Sequence, residues 1–160
     1  MTIEVHMFGC LNDNYGYLLH DSHTGLTAAI DTPDPDEISV QLAAKGWQLS
    51  HIFNTHHHGD HAGGNLSLKA ATNCEIIGPS ADAARIPGID RGVGDGDVFD
   101  FGAHRVAVFD TPGHTRGHIV YWLPGDGIAF VGDTLFSLGC GRLFEGTPEQ
   151  MWGSLQKILS

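Results

Sequence analysis

Apolar positions along the chain follow two periods, and together they predict an alternation of strands and helices. Residues 3–8, 15–20 and 26–31 alternate or run apolar over lengths suited to strands, separated by turn-forming Asn12-Asp13-Asn14 and Asp21-Ser22-His23-Thr24-Gly25. Thr2 belongs to the same alternation. Asp34-Pro35-Asp36-Glu37 predicts a helix start: Asp34 caps, Pro35 suits the first turn, and Glu37 stands where a capping box places its acid. That helix turns Ile38, Leu42 and Ala43 inward and stops at Gly46. Residues 49–54 predict a strand, 61 to about 72 a helix, and 74–78 another strand. Residues 80–97 lose periodicity and are read as a loop, punctuated by Ile86-Pro87-Gly88 and Gly92-Val93-Gly94-Asp95-Gly96. Strands resume at 97–101, 105–110, 119–123 and 128–132. Thr147-Pro148-Glu149-Gln150 opens a last helix that carries Met151, Leu155, Ile158 and Leu159 at helical spacing and runs to Ser160. This order predicts an α/β layered domain over residues 1–160, with sheets inside and helices outside.

Composition narrows the picture. At 160 residues, 41% hydrophobic and 17% charged, the chain has the length and make-up of one globular domain. A net charge of −11 disfavours a nucleic-acid backbone as partner, which calls for a basic patch. It does not disfavour a small anionic substrate, because a bound cation sets the local field. No apolar run approaches a membrane span, and no N-terminal signal pattern stands out. The three cysteines, Cys10, Cys74 and Cys140, are far apart and form no CxxC pair. They are read as small buried apolar side chains in a reducing, cytoplasmic setting.

The chemistry concentrates in Thr55-His56-His57-His58-Gly59-Asp60-His61-Ala62-Gly63-Gly64, directly after an apolar strand. Along an extended segment side chains alternate, so His56, His58 and Asp60 share one side and His57 points away. Gly59 lets the backbone turn, so that His61 rejoins that side. Neutral imidazoles with a carboxylate suit zinc, iron or manganese. Farther along, Pro112-Gly113 hold His114 at the tip of a turn, which makes it a candidate ligand beside such a cluster. His118 opens the next strand and either supports the ligands from behind or serves that strand alone. Asp133 ends an apolar strand, where a carboxylate needs a partner: a metal, or the backbone of a turn that it caps. Asp31, also at a strand end, is placed to orient a ligand histidine. Arg142, in the glycine-rich run Gly139-Cys140-Gly141-Arg142-Leu143-Phe144-Glu145-Gly146, is either a partner for a substrate carboxylate or a solvated surface charge.

In the order HxHxDH, TPGHTxGH, GDTLF and GCGRxFEG, these pieces resemble the metallo-β-lactamase superfamily and, through the last of them, its hydroxyacylglutathione hydrolases (glyoxalase II). The resemblance spans residues 3–159 and implies an αββα sandwich with a two-metal site at its edge. It implies that His56, His58 and His114 hold one divalent ion, that Asp60 and His61 hold the other, and that Asp133 bridges them. Zinc is the expected metal, with iron or manganese as alternatives. Asp60 is also placed to accept a hydrogen bond from the attacking water, and Arg142 and Phe144 to contact glutathione; Phe144 stands where some members have a tyrosine, so a hydroxyl contact is absent. The implied reaction is hydrolysis of S-(2-hydroxyacyl)glutathione, such as S-D-lactoylglutathione, within methylglyoxal detoxification, by a cytoplasmic enzyme that is monomeric at full length. The resembling family continues past this point with a further strand that bears a histidine, then with helices. The sandwich is therefore expected to be incomplete on its C-terminal side, with a weaker second metal site, low activity and an exposed strand edge prone to association. The alternatives are a one-iron glutathione persulfide dioxygenase of the same superfamily, which shares the GCGR start, a metal-binding fragment without turnover, and, less well matched by the GCGR loop, a β-lactamase.

Overall fold

The computed structural model describes residues 3–159; Met1, Thr2, which the sequence reading placed in the first strand's alternation, and Ser160, which it placed at the end of the last helix, lie outside them. Two sheets stack face to face. The first has six strands in chain order: β1 (Ile3–Cys10), β2 (Asn14–Asp21), β3 (Thr27–Ile30), β4 (His51–Phe53), β5 (Glu75–Pro79) and β6 (Arg91–Val93). β1 to β3 pair antiparallel and β3 to β6 parallel. The second sheet is an antiparallel meander of β7 (Val98–Phe101), β8 (His104–Asp110), β9 (Ile119–Leu123) and β10 (Ile128–Phe130). β10 ends that sheet, and its outer edge has no strand partner among the described residues.

The inner strands β3 to β5 of the first sheet are buried on both faces, which is why they read as continuous apolar runs. Leu19, Ala28, Ile30, Phe53 and Ile77 point toward the second sheet and meet Phe99, Val108, Ile119 and Tyr121. Their neighbours Leu18, Ala29, Ile52 and Ile76 point the other way, onto Ile38 and Leu42 of α1 (Pro35–Lys45) and Leu68 of α3 (Asn65–Thr72). α4 (Pro148–Leu159) lies on the outer face of the second sheet, where Lys157 and Ile158 border a groove with Phe109, Val120 and Trp122. The layers are therefore helix, sheet, sheet, helix.

Local signals set the helix ends. The Asp34 carboxylate accepts from the Asp36 and Glu37 amides, and Gly46 closes α1 in the left-handed region. Glu37 does not complete a box; its carboxylate accepts instead from Gln41, one turn on. At α4 the reciprocal box does form, Thr147 Oγ1 accepting from the Gln150 amide and Gln150 Oε1 from the Thr147 amide. Three further details differ from the sequence reading. The helix expected over 61–72 is broken at Gly63-Gly64 into a single turn, α2 (Gly59–Ala62), and α3. The expected loop 80–97 holds a 3-10 turn, Ser80–Arg85, and the short parallel strand β6. Cys10 and Cys74 are buried, but Cys140 is exposed on a loop.

Candidate metal centre

Four chain segments leave strands at the same end of the sandwich and bring the candidate residues together. β3 leads into Asp31, β4 runs into Asn54–His58, β8 leads to the turn at His114, and β10 leads to a 3-10 turn that contains Asp133. Extended backbone persists only as far as His58, and Gly59 begins α2. Asp60 and His61 therefore reach the site from a helical turn rather than by strand parity. His57 does point away, toward Asp82.

Three imidazole nitrogens converge. His58 Nδ1 lies 3.1 Å from His56 Nε2 and 3.0 Å from His114 Nε2. The opposite nitrogens fix the tautomers of the other two rings. His114 Nδ1–H donates to the Arg142 carbonyl at 2.7 Å. Thr55 Oγ1 donates to Asp31 Oδ2 at 2.7 Å, so it accepts from His56 Nδ1–H at 3.0 Å. His56 Nε2 and His114 Nε2 are thus both bare and face His58 Nδ1. A proton on His58 Nδ1 can serve only one of them, whereas a cation among the three rings would satisfy both. Around a tetrahedral zinc with Zn–N of about 2.0–2.1 Å, ligand nitrogens stand about 3.3 Å apart. The donor chemistry and spacing of His56, His58 and His114 fit such an ion.

A second group adjoins the first through Asp133. Its Oδ2 lies 3.2 Å from His114 Nε2 and its Oδ1 3.2 Å from His61 Nε2, one oxygen toward each histidine. His61 Nδ1–H donates to Asp31 Oδ2 at 2.8 Å, which leaves Nε2 facing Asp133. Asp60 Oδ2 lies 3.5 Å from His61 Nε2 on the open side and accepts from Asn14 at 3.1 Å. Asp31, His56 and His61 also lie close enough to share an ion. With one imidazole and carboxylates of which Asp60 is half exposed, this second group is the poorer and wetter set.

The surroundings hold these groups in place. Asp31 adopts φ 59°, a costly conformation for a non-glycine residue, and its carboxylate accepts from the Thr55 amide, Thr55 Oγ1 and His61. His118 is fully buried and uses both ring nitrogens. Nδ1–H faces the Thr111 and Thr134 hydroxyls at 2.9 and 3.1 Å, and Nε2 accepts from the Asp133 amide at 3.1 Å. It therefore has no lone pair left for a metal and acts by placing Asp133. Gly132 (φ +48°) allows this approach, since a Cβ there would stand 2.6 Å from His118 Nε2.

The electrostatics follow from this packing. Burial, then the neighbouring His61, pushes His56 well below its usual pKa; burial and His114 lower His58; burial and His114 push His118 down to about 3. Neutral imidazole is the form that binds a metal. His61 goes the other way. Burial opposes its charge, but Asp31 and Asp133 raise it to about 10. Asp133 is correspondingly lowered, because the hydrogen bond and charge of His61 outweigh burial.

The glycine-rich loop 138–146 lies against the three-histidine group. Its Gly141 amide donates to the Asp133 carbonyl and its Phe144 amide to the His114 carbonyl. The Phe144 ring sits edge-on to His58 and His114 at 5.4 and 5.3 Å. The Arg142 side chain is exposed, and its backbone carbonyl, a role the sequence gave no sign of, orients His114. Beside Asp60, His61 and Asp133 opens a cleft of about 870 Å³, walled by Met7, Tyr15, Phe130 and Phe136.

A two-sheet sandwich with helices outside and a histidine–aspartate cluster at the strand ends defines a metal-dependent enzyme fold. Residues 24–159 match the family model described as the metallo-beta-lactamase superfamily, and the chain belongs to that superfamily. Among curated relatives, the hydroxyacylglutathione hydrolase of Maricaulis maris is 56% identical over 154 residues, covering 96% of this chain and 60% of the relative. The protein of that name from Rhizobium meliloti is 55% identical over 159 residues, covering 99% and 62%. The chain thus spans about 60% of the length of these relatives. Among solved structures, ETHE1 from Myxococcus xanthus superposes with a TM-score of 0.84 at 32% identity, covering 99% of this chain and 70% of that one.

Proposed function

We propose that this chain carries the catalytic metal centre of a hydroxyacylglutathione hydrolase, cleaving the thioester of an S-(2-hydroxyacyl)glutathione into glutathione and a 2-hydroxy acid. The observation that carries the reading is the pair of adjoining donor groups joined by Asp133, one oxygen toward His114 and the other toward His61. Relatives with that printed name, 51–56% identical over nearly the whole chain, support the choice of substrate class. Two divalent ions held there, zinc by preference, would supply a water that loses its proton near neutral pH and a positive field for the developing oxyanion.

The residues would do the rest. His56, His58 and His114 would hold one ion, Asp60 and His61 the other, and Asp133 would join them. Asp60, half exposed beside the cleft, is placed to accept a hydrogen bond from the attacking water. The leaving thiolate is stable near neutral pH, so no dedicated acid is required. Arg142 would meet a glutathione carboxylate, and Phe144 would contact the glutathione beside it. A glutathione thioester is a small anion, suited to a locally positive centre in a protein of net charge −11. Free thiols at Cys10, Cys74 and Cys140 fit a reducing compartment such as the cytoplasm.

The test is loss of thioester absorbance with S-D-lactoylglutathione. The zinc-loaded chain is expected to hydrolyse it faster than buffer does, to stop when a chelator strips the metal, and to recover when zinc is restored. A rate equal to buffer with both ions bound would contradict the reading. Oxygen uptake with glutathione persulfide would favour the one-iron alternative instead.

A further inference from the structure

Arg85 and Glu145 belong to no donor group, yet they join three loops of the site. Arg85 ends the 3-10 turn after β5, and Glu145 lies in the glycine-rich loop sixty positions later. The Arg85 guanidinium reaches Asp82 through Nε at 3.1 Å and Nη2 at 2.5 Å. It reaches Glu145 through Nη2 at 3.0 Å and through a shorter bond from Nη1. Asp82 is buried and also faces His57 Nδ1 at 3.3 Å, while His57 Nε2 lies 3.1 Å from Arg85 Nη1. Glu145 Oε2, the oxygen that meets Arg85 Nη2, also accepts from the Arg116 amide at 2.8 Å, two residues past His114.

We propose that Glu145 is a positioning residue: its carboxylate, gripped by Arg85 and the Arg116 amide, pins loop 138–146 across the His58 and His114 rings. His57, between two metal ligands in sequence, is the link from this tether to the metal loop. Isolated surface ion pairs contribute little, but this one is forked, shares its guanidinium with a buried carboxylate, and leaves Glu145 only 18% exposed. Arg85 holds the Glu145 carboxyl down to about 2, so the carboxylate is charged near neutral pH. Lysine could not reproduce the fork, because its single ammonium cannot span both carboxylates. That the pinned loop is a substrate surface rests on the proposed function; the tether itself does not.

Amide hydrogen exchange on the zinc-loaded chain tests it. Glu145→Gln and Arg85→Ala are each expected to speed exchange at Phe144 and Gly146 by about tenfold, the worth of one charge-assisted hydrogen bond, with Ile52 and Phe53 in β4 unchanged. Arg85→Lys should fall between, and Glu145→Asp should restore part of the protection. Loop rates within about twofold of the parent in both variants would overturn the proposal, as would equal acceleration in loop and β4, the mark of a merely structural residue. Loop exchange reads the tether whether or not the chain turns over a thioester, so the two readings fail separately.

Discussion

Replacing His56 with alanine is expected to weaken the tightest zinc site at least about 100-fold, since even partners behind a ligand are worth 10–100-fold. His56 is fully buried, and burial, then its histidine neighbours, keeps it neutral and ready to ligate. Without it, His58 and His114 offer two nitrogens where the group had three, and water must complete the coordination. Competition against a chromophoric chelator measures the affinity. A change smaller than about threefold would mean that the tight ion sits elsewhere, because losing a direct ligand must cost more than losing its support.

The second large effect is expected at Asp133. Asp133→Ala should lower kcat for the glutathione thioester by about 10²–10³, comparable with removing a principal electrostatic stabiliser of a developing oxyanion. Asp133 turns one carboxylate oxygen toward each donor group, and His118 and the Gly132 turn help to aim it. Asp133→Asn keeps the shape and loses the charge, so it should lie closer to alanine than to the parent. Initial rates at saturating substrate decide the matter. If Asp133→Asn retained more than about a third of the parental kcat, a bridging carboxylate would not be needed for this chemistry.

Much of this fold was readable because burial on both faces leaves a plain pattern. The apolar runs through Leu18-Leu19, Ala28–Ile30, Ile52-Phe53 and Ile76-Ile77 could be nothing but inner strands once the helices between them were capped. β6 escaped because three residues, Arg91-Gly92-Val93, carry no period; pairing with β5 makes them a strand. The broken helix at Gly63-Gly64 follows from a tertiary contact, the Gly64 amide donating to the Thr32 carbonyl, that no local pattern encodes.

The candidate ligands were legible from residue type and spacing, although the strand-parity argument carries only to His58. Two kinds of residue escaped. Thr55, Thr111 and Thr134 fix imidazole tautomers through hydroxyls, and threonines beside histidines look like ordinary strand residues. Asn14, Asp82 and Arg85 act across long separations from segments read as a turn and a loop. The role of His118, left open by the sequence, follows from both of its ring nitrogens being engaged.

Zinc-edge X-ray absorption on the chain loaded with one equivalent of zinc tests the central claim most directly. The account predicts three imidazole nitrogens at about 2.0–2.1 Å, a pattern that loses one imidazole in His114→Ala. A coordination sphere dominated by oxygen, or one containing a cysteine sulfur at about 2.3 Å, would contradict it.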